Sequence, residues 1–506
     1  MIFSLLVTLC LILIIVGLAY LFLVWNFDYW KKRGIKGPKP SPLYGSIPSM
    51  VNQKRNLGYD IKDIYNQYHK DEDFVGVYSI RTPELLILNP EFVHKVFVTE
   101  FKNFHDNEGS TWMDEKSDKI LANNPFILTG EQWKERRQEV TPGITINRIK
   151  AVYPVTKEVC GKLTKYIKNL CSKADPKGYD AKDISLRFTS ELVTDAVLGV
   201  KAESLSDNPT PILGMTKKLF ELSTAFAFYS FLAGLWPTIK KFYKVKFFQK
   251  DCEDFFLGLL EKSLDLRRVQ KTDRLDFMNY MLQVQEKKRF NNEQLLSHMM
   301  TFLIDGFETS ATAITACLYQ LAKNPDEQEK LRSEILNNLD KNGELEFEYL
   351  EEPSYIEQCL HESIRIIPPA VIHKKLCTEP CEWTNRNGVK LQLNRDDIVV
   401  LPAFALYHDP HYFPNPEKFI PDRFSEENGG VKKYREMGVF FPFGDGPRVC
   451  IGMKFALIQT KAAIAEIVRN FNIKLNPRTN KDNTLDPVHF MGELDGGVWL
   501  DFEERN

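Results

Sequence analysis

A single thiol, Cys450, lies in a stretch of sequence unlike ordinary core packing, FPFGDGPRVCIG. A cysteine in a core needs no glycines around it, whereas a thiolate bound to a bulky planar cofactor does, because glycine permits positive φ and close approach. Gly444, Gly446 and Gly452 supply that freedom. Arg448 can bind an anionic substituent of the same cofactor. The stretch predicts a cofactor-binding thiolate, with a packed structural thiol as the alternative.

The residues after the thiol predict the element that positions it. The run GMKFALIQTKAAIAEIVRNF is typical of a helix that continues to Phe471. Cys450 would then lie at a helix N-terminus, where free N–H groups and the helix dipole favour negative charge.

The spacing of these residues is specific. It is F-x-x-G-x-R-x-C-x-G, at Phe443, Gly446, Arg448, Cys450 and Gly452, and it resembles the haem-binding signature of the cytochrome P-450 family. The resemblance covers essentially the whole chain. It implies that Cys450 is the metal ligand of haem b (iron protoporphyrin IX) and that the other four residues bind the cofactor.

A second stretch, DGFETS, resembles the oxygen-activation motif of the same family, A/G-G-x-D/E-T-T/S. The resemblance implies that Glu308 and Thr309 are catalytic, holding water and relaying protons to bound dioxygen. We expect the threonine hydroxyl to bond back to an earlier carbonyl and to loosen the helix near Gly306. The alternative is a back-bonded core threonine beside an incidental acid. Asp305 replaces the alanine usual in the family and leaves pocket polarity and the detailed proton route open.

The helix that carries DGFETS is predicted to be long. Residues 291–324 contain no proline, Asn291 or Asn292 can cap the start, and Pro325 marks the end. Such a helix spans roughly 50 Å, enough to cross the body of the protein. Because polar residues and glycine in the middle of a core helix cost stability, we expect function there.

Two short motifs match places where the family contacts the haem propionates. WKERR matches W-x-x-x-R, which implies that Trp133 and Arg137 face one propionate. An amphipathic helix with a core tryptophan explains this motif equally well. His373, five residues after Pro368, falls where family members often place Arg or His against the second propionate. The alternative is a histidine at the start of a strand.

An E-x-x-R pair occurs twice, at Glu362 and Arg365 and again at Glu329 and Arg332. An exposed pair of this kind contributes only about 0.3 kcal/mol. The family resemblance singles out the first copy, because Arg423 in FIPDRF is implied to join it in a buried network that braces the cysteine loop. This role is structural.

Composition limits the partners and the compartment. With 506 residues, 43% hydrophobic content and a net charge of −2, the chain can bury a large core and has no bulk attraction for nucleic acid. Its nine cysteines are scattered and contain no C-x-x-C pair. Neither a disulfide framework nor a zinc site is indicated, and a reducing compartment fits best.

The N-terminus predicts a membrane anchor. Residues 2–25 carry no charge, are long enough to cross about 30 Å of hydrocarbon and precede a cluster of lysine and arginine that the positive-inside rule keeps in the cytosol. We predict a transmembrane signal-anchor at 1–25, a basic, proline-rich connector at 26–50 and a single haem-binding catalytic domain at 51–506. The expected location is the endoplasmic reticulum membrane, with the catalytic domain on its cytosolic face.

Strand and helix patterns complete the fold prediction. Residues 74–88 are typical of a hairpin, and 388–394, 397–404 and 496–502 of further strands. Residues from about 130 to 370 are mostly helical. The fold class is mainly α with a smaller β region (α+β). The resemblance implies the cytochrome P-450 fold, with its long central helix over the haem.

The family resemblance implies a reaction. One atom of O2 would enter a lipophilic substrate, which is a hormone, lipid or xenobiotic. No nicotinamide or flavin motif is present, so electrons from NADPH would arrive through NADPH–cytochrome P-450 reductase, with cytochrome b5 as a further candidate partner. The alternatives are a haem-thiolate isomerase or dehydratase that does not use O2, and a haem-binding sensor or carrier without catalysis. The sequence of the central helix and its flanks is similar to that of insect microsomal members of the family.

Aromatic segments suggest where an apolar substrate lies. We expect the pocket to be lined between Phe104 and Phe126, by Phe302, Phe307 and Val371, and near Phe490. The aromatic and lysine-rich segment 222–248 is predicted either to dip into the membrane lipid or to form two core helices.

Overall fold

Helices form most of the protein, which confirms the mainly α fold class. The structure is a computed structural model that describes residues 2–173, 175–219, 221, 223–270, 274–489 and 491–505. The first twelve helices are α1 Ile2–Val24, α2 Tyr29–Lys32, α3 Ser49–Asn52, α4 Leu57–Tyr68, α5 Pro90–His94, α6 Lys119–Ala122, α7 Gly130–Val140, α8 Ile146–Lys173, α9 Ala181–Leu198, α10 Pro211–Lys218, α11 Thr224–Leu235 and α12 Lys250–Val269. The later helices are α13 Phe277–Lys288, α14 Asn292–Lys323, α15 Pro325–Asn337, α16 Phe347–Glu351, α17 Tyr355–Ile366, α18 Ala403–Tyr407, α19 Gly430–Glu436 and α20 Met453–Asn470.

The β region joins both ends of the chain, as predicted. Its strands are β1 Phe74–Ser79, β2 Thr82–Ile87, β3 Asp106–Asn107, β4 Tyr179–Asp180, β5 His373–Leu376, β6 Cys381–Thr384, β7 Lys390–Leu393, β8 Ile398–Leu401, β9 Phe471–Leu475 and β10 Trp499–Glu504. The largest sheet has the order β1-β2-β8-β5-β3, in which β1 and β2 form the predicted antiparallel hairpin. β10 pairs with β4 and β9, and β6 pairs with β7.

The central helix α14 confirms the predicted long element. Its start is fixed by a capping box, in which the Asn291 side chain accepts from the Gln294 N–H and the Gln294 side chain accepts from the Asn291 N–H. Its 32 residues span about 48 Å. The helix is α-helical throughout, so the loosening expected near Gly306 does not interrupt it. Gly306 instead lets α9 approach closely, since a Cβ there would lie 3.2 Å from the Val193 side chain.

Helix α14 runs between two of the three hydrophobic clusters of the core. Its C-terminal half packs with α8, α9, α17 and α20, and its N-terminal half packs with α12 and α13. The third cluster fills the large sheet and the helices around it. Residues in the middle of α14 therefore pack against helices on more than one side.

The N-terminal helix α1 is the one helix of the described residues that is long and apolar enough to cross a membrane. It has 23 residues, a mean hydropathy of 3.0 and no buried side chain. A proline-rich, non-helical stretch then leads from α2 to α3. These features fit a membrane-anchored type of protein.

Candidate active site

Cys450 lies just before α20, at the end of a loop closed by backbone hydrogen bonds. The Cys450 N–H donates to the Phe443 carbonyl at 2.8 Å, and the Gly444 N–H donates to the Phe441 carbonyl at 2.9 Å. Gly452 is the residue that caps α20. The structure therefore places the thiol at the predicted helix N-terminus, with Phe443 holding it through the main chain.

The three glycines near Cys450 differ in backbone conformation and in the space around them. Gly444 and Gly446 have φ of +69° and +63°, as expected. A Cβ at Gly446 would lie 1.9 Å from the Phe97 carbonyl oxygen, so this glycine is required by neighbouring backbone. Gly452 has φ of −84°, so the expectation of positive φ was wrong there. A Cβ at Gly452 would have no neighbouring atom within 4 Å, so the space beside this residue is open.

The Cys450 side chain is accessible although protein surrounds it. We infer from this combination an internal opening beside the thiol, which is called the cleft below. Burial and the carboxylate of Asp305 raise the pKa of the Cys450 thiol to about 11, against the opposing effect of the Gly452 N–H and Arg137. A thiol in this setting becomes a thiolate when a metal ion binds it, since coordination deprotonates a thiol. The effect of Asp305 on the Cys450 thiol indicates that this part of α14 lies near Cys450.

Trp133, Arg137 and Arg448 are brought together beside the cysteine loop. The Arg448 guanidinium lies 4.3 Å from the centre of the Trp133 ring, and that of Arg137 lies 6.0 Å from it. Arg137 donates to the Val449 carbonyl at 2.8 Å, next to the thiol. Arg448 donates to Asp106 at 2.9 Å and to the Leu128 carbonyl at 2.7 Å. Burial and the charge of Arg137 lower the pKa of Arg448 to about 10.

His373 and Lys375 enter the same region from β5. The His373 ring packs between Phe97 and Phe441, with centroid distances of 6.0 and 5.5 Å. Burial and the charge of Lys375 lower the pKa of His373 to about 4. Lys375 was not predicted from the sequence. It is only 4% exposed, and burial and the charge of Arg448 lower its pKa to about 7.

The buried basic groups around Arg448 exceed the acids that neutralise them. Asp106 is the acid that pairs with Arg448, and none of the ion pairs within the described residues includes Lys375. The Nε atom of Arg448 and the Nε2 atom of His373 are buried without a hydrogen-bond partner. Buried polar groups of this kind require partners. The two carboxylates of a haem would supply acceptors and negative charge here, so these residues fit the cofactor.

Glu362, Arg365 and Arg423 form one buried network. Arg365 binds Glu362 through two hydrogen bonds of 2.8 and 2.9 Å. The Arg423 Nε donates to the same carboxylate at 3.2 Å. The side chains of Glu362 and Arg365 are fully buried. The second E-x-x-R copy is different, because Glu329 is 52% exposed and its Arg332 contact is 3.4 Å long.

The network reaches the cysteine loop through Tyr407. Arg365 donates to the Tyr407 carbonyl at 2.8 Å, and the Tyr407 hydroxyl accepts from the Phe441 N–H at 3.0 Å. Phe441 begins the loop that carries Cys450. The geometry thus joins helix α17 to the loop by two hydrogen bonds through one tyrosine.

Thr309 and Asp305 lie on one face of α14, in the cleft. Both side chains are accessible although most of the residues around them in α14 are buried. The Thr309 hydroxyl donates to the Asp305 carbonyl at 2.6 Å, as expected for a back-bonded threonine. The Asn124 side-chain amide donates to the Asp305 carboxyl at 3.4 Å. Burial raises the pKa of Asp305 to about 7.

Glu308 is turned away from the cleft into a buried ionic cluster. Its carboxylate lies 2.6 Å from the ammonium of Lys182. Lys182 also contacts Glu493 at 2.7 Å and the Thr312 hydroxyl at 2.5 Å. Burial raises the pKa of Glu308, whereas Lys182 lowers the pKa of Glu493 below its ordinary value despite burial. Sequence analysis missed Lys182 and Glu493, since no spacing relates them to DGFETS.

A cavity of about 30 Å³ adjoins this ionic cluster and is lined by Lys182, Thr312 and Glu493. Space of this size holds a water molecule when polar groups surround it. The cluster is therefore a place where a proton can be held or moved between carboxylates and water.

The residues predicted to line the substrate pocket lie mostly in the hydrophobic core. Phe307 packs against Phe256 at 6.2 Å, and Phe302 against Phe277 at 3.9 Å, so both belong to the helix core. Phe104 and Val371 are likewise buried. Phe126 is 60% exposed and follows Asn124. The prediction near Phe490 lies outside the described residues.

Comparison with known proteins gives one consistent answer. The family model described as Cytochrome P450 matches residues 35–494. "Probable cytochrome P450 28d1" of Drosophila melanogaster is 53% identical over 97% of each chain. "Probable cytochrome P450 28a5" of the same fly is 47% identical over 99% of each chain. "Cytochrome P450 9e2" of Blattella germanica is 29% identical, over 97% of this chain and 96% of its own.

Proposed function

The chain belongs to the cytochrome P450 family and is a haem-thiolate monooxygenase, and from this premise we propose how its residues divide the work. Cys450 is the iron ligand, and Trp133, Arg137, Arg448, His373 and Lys375 hold the propionates. The substrate is a lipophilic molecule that enters the part of the cleft left between the bound haem and the face of α14 that carries Thr309. Electrons come from NADPH through NADPH–cytochrome P-450 reductase.

One observation carries this proposal. An accessible thiol and an accessible threonine face the same internal cleft, beside an excess of buried basic groups. Haem bound there supplies the chemistry of dioxygen activation, in which a thiolate ligand favours O–O cleavage. The protein contributes positioning, electrostatics and proton supply.

Thr309, Glu308 and the cluster behind Glu308 support a proton supply. The Thr309 hydroxyl lies on the cleft and holds water there, while Glu308 meets Lys182 and Glu493 on the other side of α14. Rotation of the Glu308 side chain from Lys182 toward Thr309 would carry a proton from the cluster to the cleft. The small cavity beside Lys182 provides room for a water that reloads the cluster.

Basic side chains near the cysteine loop support the docking of an electron donor. Lys432, Lys433 and Lys454 are exposed on α19 and on the first turn of α20, on either side of the loop. Complementary charge raises the association rate of such partners. Arg136 of helix α7 is not part of this basic surface, because its side chain is only 11% exposed and contacts Glu139 and His298.

The segment after α10 supports contact with lipid. It forms one half-buried helix, α11, and a short 3₁₀ turn, Pro237–Lys241, rather than two core helices. Trp236, Phe242 and Tyr243 are exposed at its end. Arg81 donates to the Leu235 carbonyl and stacks on the Phe22 ring of α1 at 3.9 Å. Because the segment thus adjoins the membrane anchor, we propose that it dips into the endoplasmic reticulum membrane on its cytosolic side.

Reconstitution tests the function directly. The full-length chain with haem, incorporated into lipid with NADPH–cytochrome P-450 reductase, should consume NADPH and O2 and form an oxygenated product from lipophilic compounds screened by binding difference spectra. Omission of the reductase should abolish NADPH consumption and product. Turnover of a fatty-acid hydroperoxide without reductase, combined with no NADPH-dependent product from the screened compounds, would contradict the proposal and favour an isomerase or dehydratase.

A further inference from the structure

Asp305 is an acidic side chain on the cleft wall that the proton supply does not use. It is accessible in the middle of α14, one helical turn before Thr309 on the same face. Glu308, the acid of the proton supply, points to Lys182 on another face of the helix. Asp305 therefore needs an explanation of its own.

The protein leaves the Asp305 carboxylate largely without partners. Within the described residues its hydrogen bond comes from the Asn124 amide, at a long 3.4 Å, and no lysine or arginine forms an ion pair with it. Asn124 is itself 2% exposed, and its side-chain oxygen accepts from the Phe126 N–H at 2.7 Å. Asn124 is thus a fixed donor that directs one carboxylate oxygen and leaves the other accessible to the cleft.

Because burial raises the pKa of Asp305 to about 7, its carboxylate form is favoured in this wall only when a cation compensates the charge. An ionised group away from bulk water is costly unless it is paired, and the described part of the protein provides no cation here. Beside a neutral substrate the acid is favoured in its protonated form, whereas a cationic nitrogen would pair with the carboxylate and keep it ionised.

We propose that Asp305 is a specificity-determining residue that selects lipophilic substrates bearing a cationic nitrogen. This inference rests on the proposed function, since it assigns a substrate class to the same cleft. Asp305 holds the nitrogen, Asn124 orients the carboxylate, and the apolar part of the substrate extends along the cleft.

Equilibrium dialysis of two probes of equal shape tests the inference. The cation is trimethyl(4-phenylbutyl)ammonium, whose quaternary nitrogen cannot coordinate iron, and the neutral probe is the analogue in which carbon replaces nitrogen. In the full-length haem-loaded protein, Asp305→Asn should weaken binding of the cation at least about 30-fold relative to the neutral probe, as for other desolvated charge pairs. Glu293→Gln, which removes the 61% exposed acid at the start of α14, should leave the ratio of the two affinities unchanged.

The second neutral variant, Asp305→Ala, covers the case in which Asp305→Asn does not retain haem. A ratio that changes less than about 3-fold in the haem-retaining variant would overturn the inference, and so would equal weakening of both probes. Dialysis requires neither reductase nor turnover. Suppose that the wild-type protein oxygenates neutral compounds, but that replacing Asp305 does not change the relative affinities of the two probes. This inference would then be overturned, and the proposed function would stand.

Discussion

Thr309 and Glu308 are neighbours in the chain, but their side chains face different surroundings. The Thr309 hydroxyl lies on the cleft, bonded to the Asp305 carbonyl, whereas the Glu308 carboxylate is paired with Lys182. The geometry favours a division in which Thr309 positions water and Glu308 controls its protonation.

Replacing Thr309 by alanine should separate electron consumption from product formation. We expect Thr309→Ala to retain haem but to lose about 100-fold in the rate of product formation, as is typical when an acid–base group is removed. Reducing equivalents should then appear as hydrogen peroxide. The measurement is the ratio of product and peroxide to NADPH consumed in the reconstituted system.

Thr309→Ser is the matched control, because serine keeps the hydroxyl and can make the same bond to the Asp305 carbonyl. It should remain largely coupled. Full coupling in Thr309→Ala would remove this residue from the proton supply.

Contacts between residues that are close in the sequence could be predicted. Contacts between residues that only the fold brings together could not. The run of residues after Cys450 predicted its place before a helix, and the helical i, i+3 spacing predicted the contact of Glu362 with Arg365. Lys182 and Glu493 meet Glu308 from distant parts of the chain. Lys375 reads as an ordinary strand lysine until the sheet buries it. Such long-range partners carry no local signal.

At the scale of elements, hydrogen bonds connect α17 to the loop that carries Cys450, and we propose that they brace this loop. The Glu362 carboxylate accepts from Arg365, Arg423 and the Ile420 N–H. Removing its charge leaves two buried guanidinium groups without their anion. Through Tyr407, a disturbance of this network reaches the main chain of the loop at Phe441.

The two E-x-x-R copies allow a matched test of this role. We expect Glu362→Gln to lower the free energy of unfolding by about 3–5 kcal/mol, because a buried charge pair loses one partner. Glu329→Gln in the exposed copy should cost less than about 1 kcal/mol. Denaturant unfolding followed by haem absorbance gives both values, and similar losses in the two variants would contradict the bracing role.

Elements with strong local signals were predicted well. The start of α14 follows from its capping box, and the hairpin of β1 and β2 from two strand-forming runs around a turn. The segment at α11 gave no such signal, because its aromatic residues are typical of both a core helix and a lipid-facing surface. Only the fold reveals that Phe226 and Tyr229 are buried while Phe228 is exposed.

At the scale of the whole molecule, the anchor and the aromatic surface near α11 lie together. The turn between β1 and β2 connects them, since Ile80 packs on Gly234 and Arg81 contacts both Leu235 and Phe22. An exposed apolar surface beside a membrane anchor is explained by burial in lipid. This arrangement would let lipophilic substrates enter the protein from the bilayer.

Crosslinking to a photoreactive phospholipid checks this arrangement. In the full-length protein in lipid nanodiscs, mass spectrometry should find adducts on α1 and on residues 236–243. The combined substitution Trp236→Ser and Phe242→Ser should reduce the second set. The exposed helix α19, beside the cysteine loop, is the internal control and should carry no adducts. Adducts confined to α1 would contradict lipid contact by the catalytic domain.

The central claim is that the sulfur of Cys450 binds the haem iron as a thiolate. The most direct measurement is the absorbance spectrum of the reduced, CO-bound protein. We predict the red-shifted Soret band of a thiolate-ligated haem for the wild-type chain and for Cys381→Ser, and its complete loss in Cys450→Ser. An unchanged band in Cys450→Ser, or a wild-type chain that stays colourless after reconstitution with haem, would contradict the account.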